Sequence, residues 1–157
     1  MINKIYITPG MIADEAMVVG ATKSVTDLNI PCVTLTDLST SMIRINTIIP
    51  TDWDLSPLKL TIVYTSHGVT GGFYLAINGS GLIYDDALNV GFSAGGQVLP
   101  VPTDINVLSK YEVELDFNGS TANYLNLIIR RFALSPLDTS NDQLQIMGFE
   151  IEYNSTN

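Results

Sequence analysis

Tyr111-Glu112-Val113-Glu114-Leu115-Asp116-Phe117 sets apolar side chains at every odd position and a carboxylate at every even one. Successive side chains on a β-strand point to opposite faces, so this stretch has one oily face and one charged face. A helix would scatter both sets around its circumference. The reading is therefore a strand with one side on a core and the other in water.

The same period of two recurs on either side. Leu58, Leu60, Ile62 and Tyr64 share a face, with Lys59, Thr61 and Thr65 opposite. Leu125, Leu127 and Ile129 alternate within 123–132, although Ile128 makes that strand apolar on both faces. Near the C-terminus Leu144 and Ile146 occupy even positions, whereas Phe149, Ile151 and Tyr153 occupy odd ones. One extra residue at Met147-Gly148, a β-bulge, would reconcile the two registers. Further strands are expected at 42–49, 72–77, 81–84 and near 32–35.

Turn signals punctuate these runs at Asn78-Gly79-Ser80, Gly95-Gly96, Asn118-Gly119-Ser120 and Ser135-Pro136. Asn78-Gly79 lies between two short β-runs and reads as a tight hairpin. Helical signal is sparse: 11–19 could form one turn or two, and 84–89 another. The pattern predicts an all-β protein, a two-sheet antiparallel sandwich of jelly-roll type with about eight strands. Residues 1–30 lack clear alternation and read as an extended N-terminal arm or strap, leaving 31–157 as the sandwich domain. The arm either wraps its own domain or reaches a neighbouring subunit.

Composition limits the function. The 157 residues are 46% hydrophobic and 15% charged, the profile of a folded chain with a substantial core. Seven Lys and Arg against sixteen Asp and Glu give a net charge of −9. Phosphate backbones and anionic membranes are recruited by basic side chains, so neither nucleic acid nor membrane is an expected partner. Cys32 is the single cysteine and His67 the single histidine, which precludes an internal disulfide and nearly all transition-metal ligand sets. The opening MINKIYITPG has no signal-peptide core, and the product is expected to be made in the cytoplasm.

No catalytic constellation emerges. Ser66 and His67 are adjacent, hence on opposite sides of a strand end, and no Gly-x-Ser-x-Gly motif occurs. Carboxylates pair up as Asp52 with Asp54, Asp85 with Asp86, and Asp138 with Asp142. Each pair serves turn-building as readily as chemistry. Calcium is the ion such loop aspartates would suit, but no calcium-loop pattern accompanies them. The chain is therefore expected to be non-enzymatic, without cofactor or metal.

Trp53 and His67 are candidates for ligand contact, since an exposed loop tryptophan can stack on a sugar ring or anchor an interface. For Trp53 the preferred reading is the plainer one, a buried ring capping the sandwich end. Tyr64, Tyr74 and Tyr84 could join a binding face, but their alternation suits the core better. Arg130-Arg131 is the one basic pair and reads as a sheet-edge or interface element. Sequons begin at Asn78, Asn118 and Asn154 and matter only in a host that glycosylates secreted proteins.

Several stretches resemble small β-sandwich virion proteins of tailed bacteriophages. They are Lys4-Ile5-Tyr6-Ile7-Thr8-Pro9, Leu35-Thr36-Asp37 leading into Ile43 and Ile45, and Ile49-Pro50-Thr51-Asp52-Trp53-Asp54 before Leu58–Thr65. Leu127-Ile128-Ile129-Arg130-Arg131, a loop with Asp138 and Asp142, and Gly148-Phe149-Glu150-Ile151-Glu152-Tyr153 complete the set. The resemblance implies a structural component of the outer capsid surface, a decoration (cement) protein bound to the major capsid protein, with a homotrimer suiting local three-fold positions. Partner contacts are then expected from Ile2, Ile5, Tyr6, Ile7 and Met11, with Arg130 and Arg131 in support. The alternative is a carbohydrate- or receptor-binding module of a tail or head fibre, with a host glycan met by Trp53 and His67.

Overall fold

A computed structural model describes residues 1–12, 17–18, 20–26, 28–82, 89–105, 107–117 and 122–156. Among them eleven strands occur: β1 (Ile2–Ile7), β2 (Met17–Val18), β3 (Ala21–Val25), β4 (Pro31–Leu35), β5 (Thr40–Ile48) and β6 (Leu58–Ser66), followed by β7 (Gly72–Leu82), β8 (Asn89–Pro100), β9 (Ser109–Leu115), β10 (Tyr124–Phe132) and β11 (Leu144–Asn154). The helical content described is a single 3-10 turn, Pro9–Met11. Part of the expected 11–19 helix, all but the last residue of 84–89 and the Asn118-Gly119-Ser120 turn lie outside the described residues.

The strands build two antiparallel sheets. Sheet A runs β3-β4-β11-β6-β9, with β1 also paired to β11, and sheet B runs β2-β5-β10-β7-β8. Side chains from both inner faces meet in one core that includes Leu60, Ile62, Ile43, Ile45, Leu127 and Ile129. Burying each such side chain contributes about 1.5–3 kcal/mol, so the alternation read in the sequence is also the main source of stability. The two-sheet sandwich is as expected, with more strands than expected.

The register change in the last strand is a bulge. On one edge β11 pairs throughout with β6, and the register shifts between Ile146 and Gly148. Along its other edge the partner changes at the same place, from β4 (Ile146↔Val33) to β1 (Ile7↔Phe149). A Cβ on Gly148 would lie 2.9 Å from the Ile7 carbonyl oxygen, so the crossing needs the bare backbone.

One expectation is corrected. Asn78-Gly79-Ser80 is not a hairpin turn but the middle of β7, paired with Ile128, Leu127 and Asn126 of β10 and with Ser93, Phe92 and Gly91 of β8. Ladder hydrogen bonds on both sides outweigh the turn preference of Asn-Gly, and a bulge opposite Ile77 and Asn78 absorbs the irregularity. At the start of the N-terminal segment, Ile2–Ile7 forms a sheet strand along β11 of its own chain.

Candidate functional site

Trp53 is turned inward. It is 5% exposed, edge-on to Phe117 at 5.7 Å, and its indole N–H donates to the Ser56 carbonyl at 2.8 Å. The ring has no free face for a sugar or a partner, so the buried, capping role is the one the fold gives Trp53 and the alternative of a ligand contact falls away. His67 follows the other end of β6, with its Nε2 3.2 Å from Gln145 Nε2. The nine residues of β6 hold Trp53 and His67 about 30 Å apart at the rise of a strand, too far to share one ligand site.

Arg131 is likewise no partner contact. It takes an inward position at the end of β10 and is fully buried, stacked 4.8 Å from the Phe73 ring centre. All five guanidinium N–H groups are used: two on Asp138, one each on the carbonyls of Leu35, Asp142 and Ser140. This knot fastens the 133–143 loop to the end of the sandwich. Of the N-terminal candidates, Ile7 is buried, Ile5 is packed against the core, and Ile2, Tyr6 and Met11 are exposed.

The loop carboxylates are structural in what they touch. Asp54 Oδ1 accepts the Ser56 N–H at 3.0 Å, and hydrogen bonds from Ser56 hold its carboxyl below the usual range. Asp142 accepts from Ser66 Oγ at 3.2 Å and from the Gln143 N–H at 2.8 Å. Asp85 and Asp86 lie outside the described residues.

The outer face of sheet B carries a different chemistry. In-register pairing aligns Asn46, Asn126 and Ser80 in one row across β5, β10 and β7. The next row holds Arg44, Ile128, Asn78 and Ser93, and the one beyond it Met42, Arg130, Ala76 and Gly96. Asn78 Oδ1 accepts the Ser93 hydroxyl at 2.7 Å, while the Asn46 and Asn126 amides have no partner among the described residues.

Aromatic rings flank these polar rows. Tyr74 and Phe132 lie 6.1 Å apart with planes tilted by 38°, and Arg130 sits 5.8 Å from the Phe132 ring centre. Both rings, with Thr40, Leu134 and Ser135, line an open depression of about 450 Å³. Tyr124 stands at the other end of the face, opposite Ile48 and Leu82. Tyr74 is thus on the outer face rather than in the core, unlike Tyr64, which is buried, donates to the Pro100 carbonyl at 2.7 Å and is pushed up to about 12 by burial. Tyr84 lies outside the described residues.

Such a face can hold a flat, hydroxyl-rich ligand. Rings offer apolar stacking surface to C–H groups, and side-chain amides offer donor and acceptor together to neighbouring hydroxyls. Sequence reasoning passed over Asn46 and Asn126 because they converge only once the strands are in register.

No protein-family model matches the chain, and no curated protein matches its sequence. Solved structures do match. The C-terminal family 6 carbohydrate-binding module of a marine laminarinase from Zobellia galactanivorans superposes with a TM-score of 0.61 at 11% identity, covering 95% of this chain and 98% of that one. The xylan-binding CBM22-1 domain from Paenibacillus barcinonensis gives 0.55 at 7% identity over 97% and 95%. A family 29 module from Piromyces equi gives 0.52 at 13% identity over 99% and 93%. The chain therefore has the jelly-roll β-sandwich fold that these carbohydrate-binding modules share.

Proposed function

We propose that the chain is a non-catalytic carbohydrate-binding module that lays its glycan across the outer face of sheet B. The observation that carries this reading is one outer sheet face that holds the paired amides Asn46 and Asn126, without partners among the described residues, towards one end and the Tyr74–Phe132 aromatic pair at the other. The shared fold with carbohydrate-binding modules supports it. Binding without turnover accords with Asp54, Asp138 and Asp142, whose carboxylates are occupied in turns and in the Arg131 knot.

A phage tail or head fibre is one setting for such a module, and the virion resemblance points there, with a host glycan as ligand. Capsid decoration by residues 2–19 has less to rest on, since β1 is hydrogen-bonded along β11 of its own chain. Nothing in the fold adds to the capsid-protein or homotrimer expectation.

Affinity electrophoresis through gels containing a panel of soluble polysaccharides tests the proposal. At least one glycan should retard the protein, and Tyr74→Ala and Asn126→Ala should each weaken that retardation about tenfold, the effect of one lost stacking or hydrogen-bond contact. Retardation by no glycan, or retardation untouched by both substitutions, would overturn it.

A further inference from the structure

Resting on the reading of sheet B as a glycan face, we infer that its ligand is an anionic glycan whose carboxylate or sulfate groups are taken by Arg44 and Arg130. The chain sorts its cations by type. All four lysines, Lys4, Lys23, Lys59 and Lys110, lie on strands of sheet A, and all three arginines, Arg44, Arg130 and Arg131, lie on strands of sheet B.

The carboxylates follow the lysines. Glu112, Glu114, Glu150 and Glu152 are all on sheet A, whereas the strands of sheet B contain no Asp or Glu at all. On sheet A, Lys4 meets Glu150 at 2.7 Å and Glu152 at 3.5 Å, and Lys59 meets Glu152 at 3.4 Å and Glu112 at 3.6 Å. Those charges neutralise one another in the usual manner of a solvated surface. Sheet B is arranged otherwise. Arg131 is turned inward and satisfied by Asp138, but Arg44 and Arg130 point outward and form no ion pair among the described residues.

Register makes the two outward arginines a pair. Arg44 is opposite Ile128 and Arg130 opposite Met42, so they are diagonal neighbours on adjacent strands, roughly 7–8 Å apart at the backbone. Arginine, unlike lysine, presents a planar fork that receives an oxyanion through two parallel hydrogen bonds. The pair also has the ring of Phe132 on one side and the amides of Asn46 and Asn126 on the other, so a sugar ring held there would bring its acidic substituent to the guanidinium groups.

The net charge of −9 does not oppose this. The glutamates of sheet A project from the far side of a sandwich whose sheets are about 10 Å apart, beyond the screening length of about 8 Å at physiological salt. An acidic polymer would be repelled by that side and admitted at the arginine face, which orients the encounter.

Isothermal titration of the full chain with matched pairs of polymers provides the test: polygalacturonate against its methyl ester, and dextran sulfate against dextran, each at low and raised salt. The inference expects the charged member of at least one pair to bind about tenfold tighter or more, with affinity falling as salt rises. Whichever pair does so tells carboxylate from sulfate recognition. In Arg44→Gln/Arg130→Gln the preference should collapse towards one, and in the double Lys variant it should fall between. Equal affinity for charged and neutral members, or a preference that survives the Gln substitutions, overturns the anionic ligand while leaving glycan binding in place. Binding of no polymer in these pairs or in the neutral panel overturns both. Should the Gln variant fail to fold, the wild-type comparison of matched polymers still decides the matter.

Discussion

Asp138 grips Arg131 with both carboxylate oxygens, Oδ2 on Nε at 2.9 Å and Oδ1 on Nη2 at 3.0 Å, and neither side chain is exposed. The same Oδ2 accepts the backbone N–H of Tyr74 at 3.0 Å, so the knot that closes the end of the sandwich also fixes the strand carrying an aromatic ring of the outer face of sheet B. Removing one partner of a buried pair strands the other charge away from water. Arg131→Met should cost about 3–5 kcal/mol in urea unfolding, and Arg131→Met/Asp138→Leu should recover much of that loss. A single variant as stable as wild type would show that the pair is not buried as described.

Gly96 lies directly across from Ala76, beneath the Tyr74 ring, and a Cβ there would collide with the Tyr74 hydroxyl. Because the obstacle is the end of a side chain, the fold can tolerate Gly96→Ala by swinging Tyr74 off its seat. The expected outcome is a melting temperature near that of wild type together with glycan affinity lowered about as much as by Tyr74→Ala, roughly tenfold. Unchanged affinity would remove Tyr74 from the site.

Trp53 should behave in the opposite way. Its burial against Phe117 predicts that Trp53→Ala destabilises by about 3–5 kcal/mol in chemical unfolding. Glycan affinity measured below the unfolding transition should be unaltered. A selective loss of binding with stability intact would restore the tryptophan as a ligand contact.

The attachment of β1 should depend on pH at both ends of the scale. The hydrogen bond from Lys4 holds Glu150 below its ordinary value of 4.5, and the same bond raises Lys4 above 10.5. A lowered carboxylate stabilises the fold above its ordinary value, and that contribution is lost as acid carries the pH down through the lowered one. A raised lysine stabilises below its ordinary value and loses that contribution as the pH climbs through the raised one. The stability gap between wild type and Lys4→Met, measured by urea unfolding, should therefore be widest between 4.5 and 10.5 and close outside that window. A gap that stays constant across the range would show that the pair contributes nothing.

How far the sequence reaches is clear from individual strands. Alternation at Tyr111–Phe117 was legible because that strand has one wet face and one dry one; at Leu58–Tyr64 it was legible because Lys59 and Thr61 interleave the apolar set, although Thr61 is itself buried, and the parity switch at Met147-Gly148 revealed a bulge. β8 was not legible, since Gly91, Gly95 and Gly96 interrupt any pattern and its place depends on pairing with β7. Asn78-Gly79 misled because local turn preference is weak against two ladders. The candidate site was the least legible part. Asn46, Asn126, Ser80 and Tyr74 come from three strands whose register no single stretch encodes, whereas burial of Trp53 at the sandwich end was the preferred reading from sequence.

Backbone-amide NMR shifts during titration with a binding polysaccharide would map which face of the sandwich holds the glycan. With the glycan on the outer face of sheet B, the largest shifts are expected at Asn46, Tyr74, Asn78, Asn126 and Arg130, with Lys4, Glu112 and Glu150 on the opposite sheet unmoved. Shifts centred on sheet A, or on the loops around Trp53 and His67, would contradict it.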